Sequence, residues 1–195
     1  MLTKTSNKLL RTFTAHITEQ FTLRELAKKH AMNVSLVHRS LQPLLEKEIV
    51  KQDKHKRLSL NYKNHHHLLL QAEYARTQQW FQKHKDLALL SQDIIKKLRE
   101  DFFTLLVFGS AVNTTTPRDI DILLITNTDQ EQEKIIETIG RLHDLEIDIQ
   151  VITTTSAYEM LAKREEKNLM NEILNKHILL FGAESFYRII SKART

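Results

Sequence analysis

The sequence predicts an α+β protein: a basic helical module first, a helical connector next, and a C-terminal core with a small mixed sheet. Three observations carry that expectation. Apolar residues recur at spacings of three and four through the first half, the period of amphipathic helices. Beyond about residue 101, apolar runs of strand length alternate with helical stretches. Charge is also uneven: residues 1–64 hold 13 Lys/Arg against 5 Asp/Glu, whereas residues 65–195 hold 16 against 19. The net charge of +5 therefore belongs to the N-terminal end, an electrostatic footprint for nucleic acid that the remainder lacks.

The composition narrows the class. With 41% apolar and 27% charged residues, 195 residues suffice for one or two globular domains. The chain has no cysteine, which removes disulfides and thiolate metal sites and fits a reducing, cytoplasmic location. No apolar stretch approaches the ~20 residues of a membrane span, and the first residues lack the apolar core of a signal peptide. Only 3 Gly and 2 Pro leave little room for flexible linkers.

The elements follow in order. Leu9, Leu10, Phe13 and Ile17 mark a first helix. Thr22-Leu23-Arg24-Glu25 is a capping box that opens a second, carrying Leu23, Leu26 and Ala27 inward. After a break near Ala31–Asn33, Ser35 is the expected cap of a third helix over about 35–47, with Val37, Leu41, Leu44 and Leu45 on one stripe. Pro43 inside it removes a hydrogen bond and should bend it. A strand from Ile49-Val50, a turn at Asp53–Lys56 and a return over Arg57–Tyr62 complete a basic hairpin.

Residues 64–100 read as a connector of two helices broken near Lys83–Asp86, with Leu68, Leu69, Ala72, Ala75, Trp80, Leu87, Leu90, Ile94 and Leu98 at helical spacing. His65-His66-His67 reads as a solvated helix start, because adjacent helical residues point in different directions. The third segment predicts strands at 104–108, 119–126 and 146–153. Helices are expected at 110–113, 130–142 and 156–176, then an apolar run at Ile178–Phe181 and a closing helix from near Ser185.

The segment LLVFGSAVNTTTPRDIDILLI, residues 105–125, carries the chemistry. On a strand, Asp119 and Asp121 project from one side. At ~4 Å and an effective dielectric of ~20, two such charges repel by roughly 4 kcal/mol, so a cation or a retained proton must relieve them. Hard divalent ions such as Mg²⁺ bind through carboxylates together with substrate phosphates. Gly109 lets the backbone approach a ligand closely, and Ser110 adds a hydroxyl and an N–H. Metal-binding and phosphate-binding features side by side suggest phosphoryl or nucleotidyl transfer.

Gly-Ser, a short loop and Asp-x-Asp between apolar strands resemble the nucleotidyltransferase superfamily that includes DNA polymerase beta, and most closely its minimal nucleotidyltransferase (MNT) group. That resemblance implies a third carboxylate on a neighbouring strand. Glu146-Ile147-Asp148-Ile149-Gln150-Val151 supplies it, with Asp148 preferred for its central place and Glu146 as the alternative. The helix-turn-helix and basic hairpin of residues 5–62 resemble a MarR-like winged helix-turn-helix domain. The closing stretch NEILNKHILLFGAESFYRII is similar to the tail of archaeal members carrying such a domain. The implied organisation is a winged helix-turn-helix at 1–63, a connector at 64–100 and a nucleotidyltransferase domain at 101–195.

Carried over residue by residue, the resemblance implies that Asp119, Asp121 and Asp148 hold two Mg²⁺ ions, with Mn²⁺ able to replace them. Gly109, Ser110 and Arg118 would bind the phosphates of ATP or another nucleoside triphosphate. The product would be a nucleoside monophosphate, AMP from ATP, on an acceptor hydroxyl, including one on a partner protein such as a HEPN-type toxin. Ser35, Leu36, His38, Arg39 and Gln42 would face a DNA major groove, and Lys51, Lys54, His55, Lys56 and Arg57 the phosphates. Dimerisation is compatible with a winged helix. Arg118 is the one cation of the loop at 111–118, which also lacks glycine. An alternative class stays open: a DNA-binding regulator or antitoxin whose nucleotidyltransferase domain binds nucleotide or partner without turnover. A third is a transferase acting on RNA ends or small alcohols, although no aromatic stacking platform is visible.

Overall fold

A computed structural model describes residues 2–98, 102–115, 117–128 and 131–194. The expected boundary between residues 100 and 101, and Gln130, where a helix is predicted to start, lie outside these described residues. The chain is mixed α+β with small sheets and divides into two units, Met1–Glu73 and Tyr74–Thr195.

The first unit begins with α1 (Lys4–Ala15), whose N-cap Thr3 accepts the Ser6 N–H at 3.0 Å and which buries Leu9, Leu10 and Phe13. The capping box of α2 (Leu23–His30) is reciprocal. Thr22 Oγ1 accepts the Glu25 N–H at 3.2 Å, and Glu25 Oε2 accepts the Thr22 N–H at 2.7 Å.

Asn33, not the expected Ser35, caps α3 (Val34–Glu46), accepting the Leu36 N–H at 2.7 Å. Asn serves as well as Ser at an N-cap, and Val37, Leu41 and Leu44 are buried as the expected stripe requires. Pro43 lies inside one continuous helix, with buried Leu44 beyond it. Beyond its C-cap Lys47 the chain turns away at Glu48, a non-glycine residue at φ 52. Strands β1 (Gln20–Phe21), β2 (Val50–Gln52) and β3 (Leu58–Leu60) form an antiparallel sheet in the order β1-β3-β2. In the β2–β3 turn, Asp53 Oδ1 accepts the N–H groups of His55 and Arg57, both at 2.8 Å.

Helix α4 (His66–Phe81) crosses the division between the units, and α5 (Lys85–Lys97) belongs to the second. The second half of the expected connector thus packs with the sheet core. Trp80, Leu87, Leu90, Ile94 and Leu98 join Leu105, Val107, Ile120, Ile122, Leu124 and Ile149 in one buried cluster. The sheet runs β6 (Ile147–Ile152), β5 (Ile120–Ile125), β4 (Thr104–Phe108), β7 (His177–Phe181). Strand β4 is antiparallel to β5 and β7, while β5 and β6 are parallel. Helix α6 (Glu131–Leu142) adds Ile136 and Ile139 to the same cluster.

By strand alternation Leu106 and Leu123 face the other way. That side holds α7 (Thr154–Ala162), α8 (Leu169–Ile173) and α9 (Ala183–Ala193), which bury Leu161, Met170, Phe186 and Tyr187. The single helical stretch expected at 156–176 is therefore two helices. Asn side chains divide it: Asn168 caps α8 through the Asn171 N–H at 3.0 Å, and Asn171 Nδ2 donates to the Lys163 and Glu166 carbonyls at 2.8 Å. Carbonyls of edge strand β7 are taken by α4: Arg76 donates to His177 O at 2.6 Å, and Thr77 to Leu179 O at 2.7 Å.

Candidate functional site

In the second unit, β5 and β6 run in a register that pairs Asp121 with Asp148. The register begins where Ile120 donates its N–H to Glu146 O at 3.0 Å. Because Ile120, Ile122 and Ile149 point into the α5 side of the sheet, Asp121 and Asp148 stand together on the opposite face. Asp119 lies in a bend one residue ahead of β5, not within the strand as the sequence predicts, and it is exposed. Glu146 likewise precedes β6, so Asp148 is the carboxylate opposite Asp121.

Asp121 is the pivotal residue. Its carboxyl is held above the ordinary carboxylate range, first by burial and then by the charges of Asp119 and Asp148. The Ser110 N–H, donated to this carboxylate, and the charge of Lys176 act in the opposite direction. The carboxylate also lies over Gly109, at φ +66, in space that any Cβ there would need. The Ser110 amide serves Asp121, while the exposed Ser110 side chain stands on the 3-10 turn Gly109–Val112.

Among the described residues, no three His, Cys, Asp or Glu side chains are gathered closely enough to enclose a metal ion. The donor chemistry nevertheless fits a hard divalent cation. Three carboxylates share one end of the sheet, and their mutual repulsion raises Asp121, a cost that a bound cation would relieve. Asp119, Asp121 and Asp148 are the residues that would hold it.

Arg118 is brought elsewhere. It lines a cavity of about 340 Å³ with Lys83, His84, Leu87, Ile120 and Glu146, on the α5 side of the sheet end. Two residues that sequence reasoning did not single out for the site brace the adjoining loop. Trp80 Nε1 donates to Ala111 O at 3.2 Å, and His84 Nε2 lies 2.8 Å from Thr114 O. The His84 ring stacks on Trp80 with centroids 4.3 Å apart. Nothing local in the sequence signals these contacts, which span about thirty residues.

In the first unit, Ser35, His38 and Arg39 are exposed on α3 and Gln42 is half-buried, with Gln42 Nε2 3.2 Å from His38 Nε2. Asn33, Ser35, Leu36 and Arg39 line a surface concavity of about 440 Å³. Lys54, Lys56 and Arg57 are exposed in the β2–β3 turn, and Lys51 is exposed on β2. Comparison with protein-family models, with curated proteins and with solved structures returns no match.

Proposed function

We propose that the chain is a metal-dependent nucleotidyltransferase that moves a nucleoside monophosphate, AMP from ATP, onto an acceptor hydroxyl, with an N-terminal nucleic-acid-binding module. The observation that carries this reading is the parallel register that sets Asp121 beside Asp148, with Asp119 adjacent and Gly109-Ser110 packed against Asp121. On this reading the second unit is a polymerase-beta-like nucleotidyltransferase domain. The first unit, with its helix order and basic hairpin, is a winged helix-turn-helix. Its exposed residues on α3 and in the hairpin turn suit a DNA groove and its phosphates.

The reaction follows from the residues. The acceptor oxygen attacks the α-phosphorus in line, the bond from that phosphorus to the oxygen bridging α- and β-phosphates breaks, and pyrophosphate leaves. Asp148, exposed beside Asp121, takes the acceptor proton. Ser110 offers its hydroxyl to the phosphate chain, and Asp121 is oriented by the Ser110 amide. One or two Mg²⁺ ions, or Mn²⁺, held by Asp119, Asp121 and Asp148 would supply charge neutralisation of the triphosphate. The acceptor class that suits this reading is a protein hydroxyl, including one on a partner toxin of the HEPN type.

The test is transfer of label from α-labelled ATP, with Mg²⁺ or Mn²⁺, onto the protein and onto lysate proteins. It is run beside the Asp119→Ala/Asp121→Ala variant. Label on a discrete band that requires the native carboxylates supports the enzyme; equal labelling by the variant rejects it. A second reading, a DNA-binding regulator that holds nucleotide or partner without turnover, is favoured by one observation: among the described residues no three carboxylates are gathered closely enough to enclose a metal ion. Nucleotide binding without transfer under any metal would select it.

A further inference from the structure

The His84 side chain sits in an arrangement that a neutral imidazole cannot complete. Its Nδ1 lies 2.8 Å from Trp80 O, in the last turn of α4, and its Nε2 lies 2.8 Å from Thr114 O. Both partners are carbonyl oxygens, which only accept. A neutral imidazole has one N–H and one bare nitrogen, so it serves one carbonyl and turns a lone pair on the other. The imidazolium donates to both. The residue is 8% exposed, which leaves little water to take the place of a missing donor. We propose that His84 is a proton-dependent latch. With both ring nitrogens protonated it ties the end of α4 to Thr114, and on losing one proton it releases the loop between Ser110 and Asp119.

The surroundings fit a cation at this point. Trp80 O, which also accepts the Lys83 N–H at 3.0 Å, is one of the carbonyls at the negative end of α4. The His84 ring stacks on the Trp80 indole with its plane tilted by 21°, a face that attracts positive charge. Although His84 is the N-cap of α5, its side chain makes no bond to that helix, so the ring is committed to the two carbonyls. The charged groups that share its cavity are Lys83, Lys85 and Asp86 around the start of α5, Arg118 from the loop, and Asp144 and Glu146 from the α6–β6 turn. Both signs are represented among them, and the facing carbonyls therefore set what the ring must donate. The loop has two anchors of different kinds. The Trp80 indole holds Ala111 O and cannot titrate, whereas the hold on Thr114 O depends on a proton. Between the anchors the Asn113 and Thr114 amides both donate to Ser110 O at 3.2 Å, and these bonds report whether the loop is held.

The experiment is NMR spectroscopy of the full chain from about pH 5.5 to about pH 8.5. Ring nitrogen shifts of His84 count its protons. Hydrogen exchange of the Asn113 and Thr114 amides, expressed as protection factors to remove the intrinsic effect of pH, reads the loop. At the acidic end both ring nitrogens should be protonated and protection should be at least about tenfold higher than at the alkaline end, with one midpoint for the two changes. His84→Phe keeps a ring on Trp80 but has no donor, and should show the low protection at every pH. Unchanged methyl shifts of the buried Leu105 and Leu124 check that this variant is folded; if it is not, the wild-type titration alone decides. A bare ring nitrogen at the acidic end, or wild-type protection that stays constant over the range, would overturn the latch. Neither readout involves nucleotide, metal or turnover, so that failure would leave the nucleotidyltransferase reading standing.

Discussion

The carboxylate of Asp121 occupies the space directly above the Cα of Gly109, and the Ser110 amide that follows donates to it. Backbone and side chain fit together only because residue 109 has no Cβ and can hold φ +66. Gly109→Ala therefore forces a left-handed alanine against a carboxylate, and is expected to cost about 2–4 kcal/mol in denaturant unfolding. In an Asp121→Ala background the same change should cost less, because the clash is gone and only backbone strain remains. A double-mutant cycle in which the two changes add without coupling would contradict this account.

Asp121 is retained at a cost to the fold. Its carboxyl is raised above the unfolded value by burial and by Asp119 and Asp148, so the folded state binds the proton more tightly. Stability from this group is thus present below the unfolded value and is lost as pH rises through the folded one. At neutral pH, Asp121→Asn removes the repulsion while keeping an acceptor for the Ser110 amide. It should raise the melting temperature by about 1–3 °C. Millimolar Mg²⁺ or Mn²⁺ should stabilise wild type, through binding to the native state, and stabilise Asp121→Asn less. Thermal melts with and without the ion decide the matter, and an equal shift in both proteins would argue against these carboxylates as ligands.

Much of this site was legible in the sequence because its determinants are periodic. Alternation in IDILLI and IDIQVI assigns faces without any tertiary knowledge, and the structure sets Asp121 against Asp148 through that alternation. Capping was legible only as chemistry. Asn33, Ser35 and Thr22 are all competent N-caps, and it is Asn33, not Ser35, that accepts an amide at the start of α3. The end of α3 shows the same limit: glycine is the usual signal for a left-handed stop, and here Glu48 takes φ 52 instead. Its carbonyl accepts Asn61 Nδ2 at 2.7 Å, a tertiary contact that local sequence does not announce. Trp80 and His84 were illegible for a related reason. Each reaches the loop after Gly109 through side-chain packing across about thirty residues.

The first unit carries a separate proton linkage at His30. Its imidazole is held below the ordinary histidine value of 6.5, first by burial and then by Lys8, Lys29 and Arg11, while Nε2 lies 2.8 Å from Thr12 Oγ1. The folded state resists a proton that the unfolded chain accepts. Stability is therefore complete above the unfolded value and declines as pH falls from about 6.5 through the folded one. Substituting His30→Asn should flatten this part of the pH dependence. The difference in unfolding free energy between wild type and variant, followed from pH 8 to about 5, should shift against wild type on acidification. A constant difference across that range would show that His30 does not titrate in this way.

The basic hairpin makes a prediction that separates phosphate contact from base reading. Lys54, Lys56 and Arg57 are exposed around a turn whose shape comes from Asp53 accepting the His55 and Arg57 amides, so their side chains do not hold the hairpin together. If they neutralise phosphates, replacing all three with alanine releases about three fewer counterions on binding duplex DNA. The slope of log affinity against log salt should then fall by about 2–3, with a similar loss for every sequence tested. Arg39 stands exposed on α3 beside Ser35 and Leu36, the position that the proposed winged-helix reading gives to a groove-reading side chain. Its replacement by alanine should instead change relative affinities among duplexes, by about 1–3 kcal/mol at the affected base pair, with a smaller effect on the slope. Fluorescence anisotropy over 50–300 mM salt with a panel of duplexes reads both quantities. Salt-insensitive binding, or a triple variant with the wild-type slope, would remove the hairpin from the nucleic-acid interface and leave α3 to account for any binding that persists.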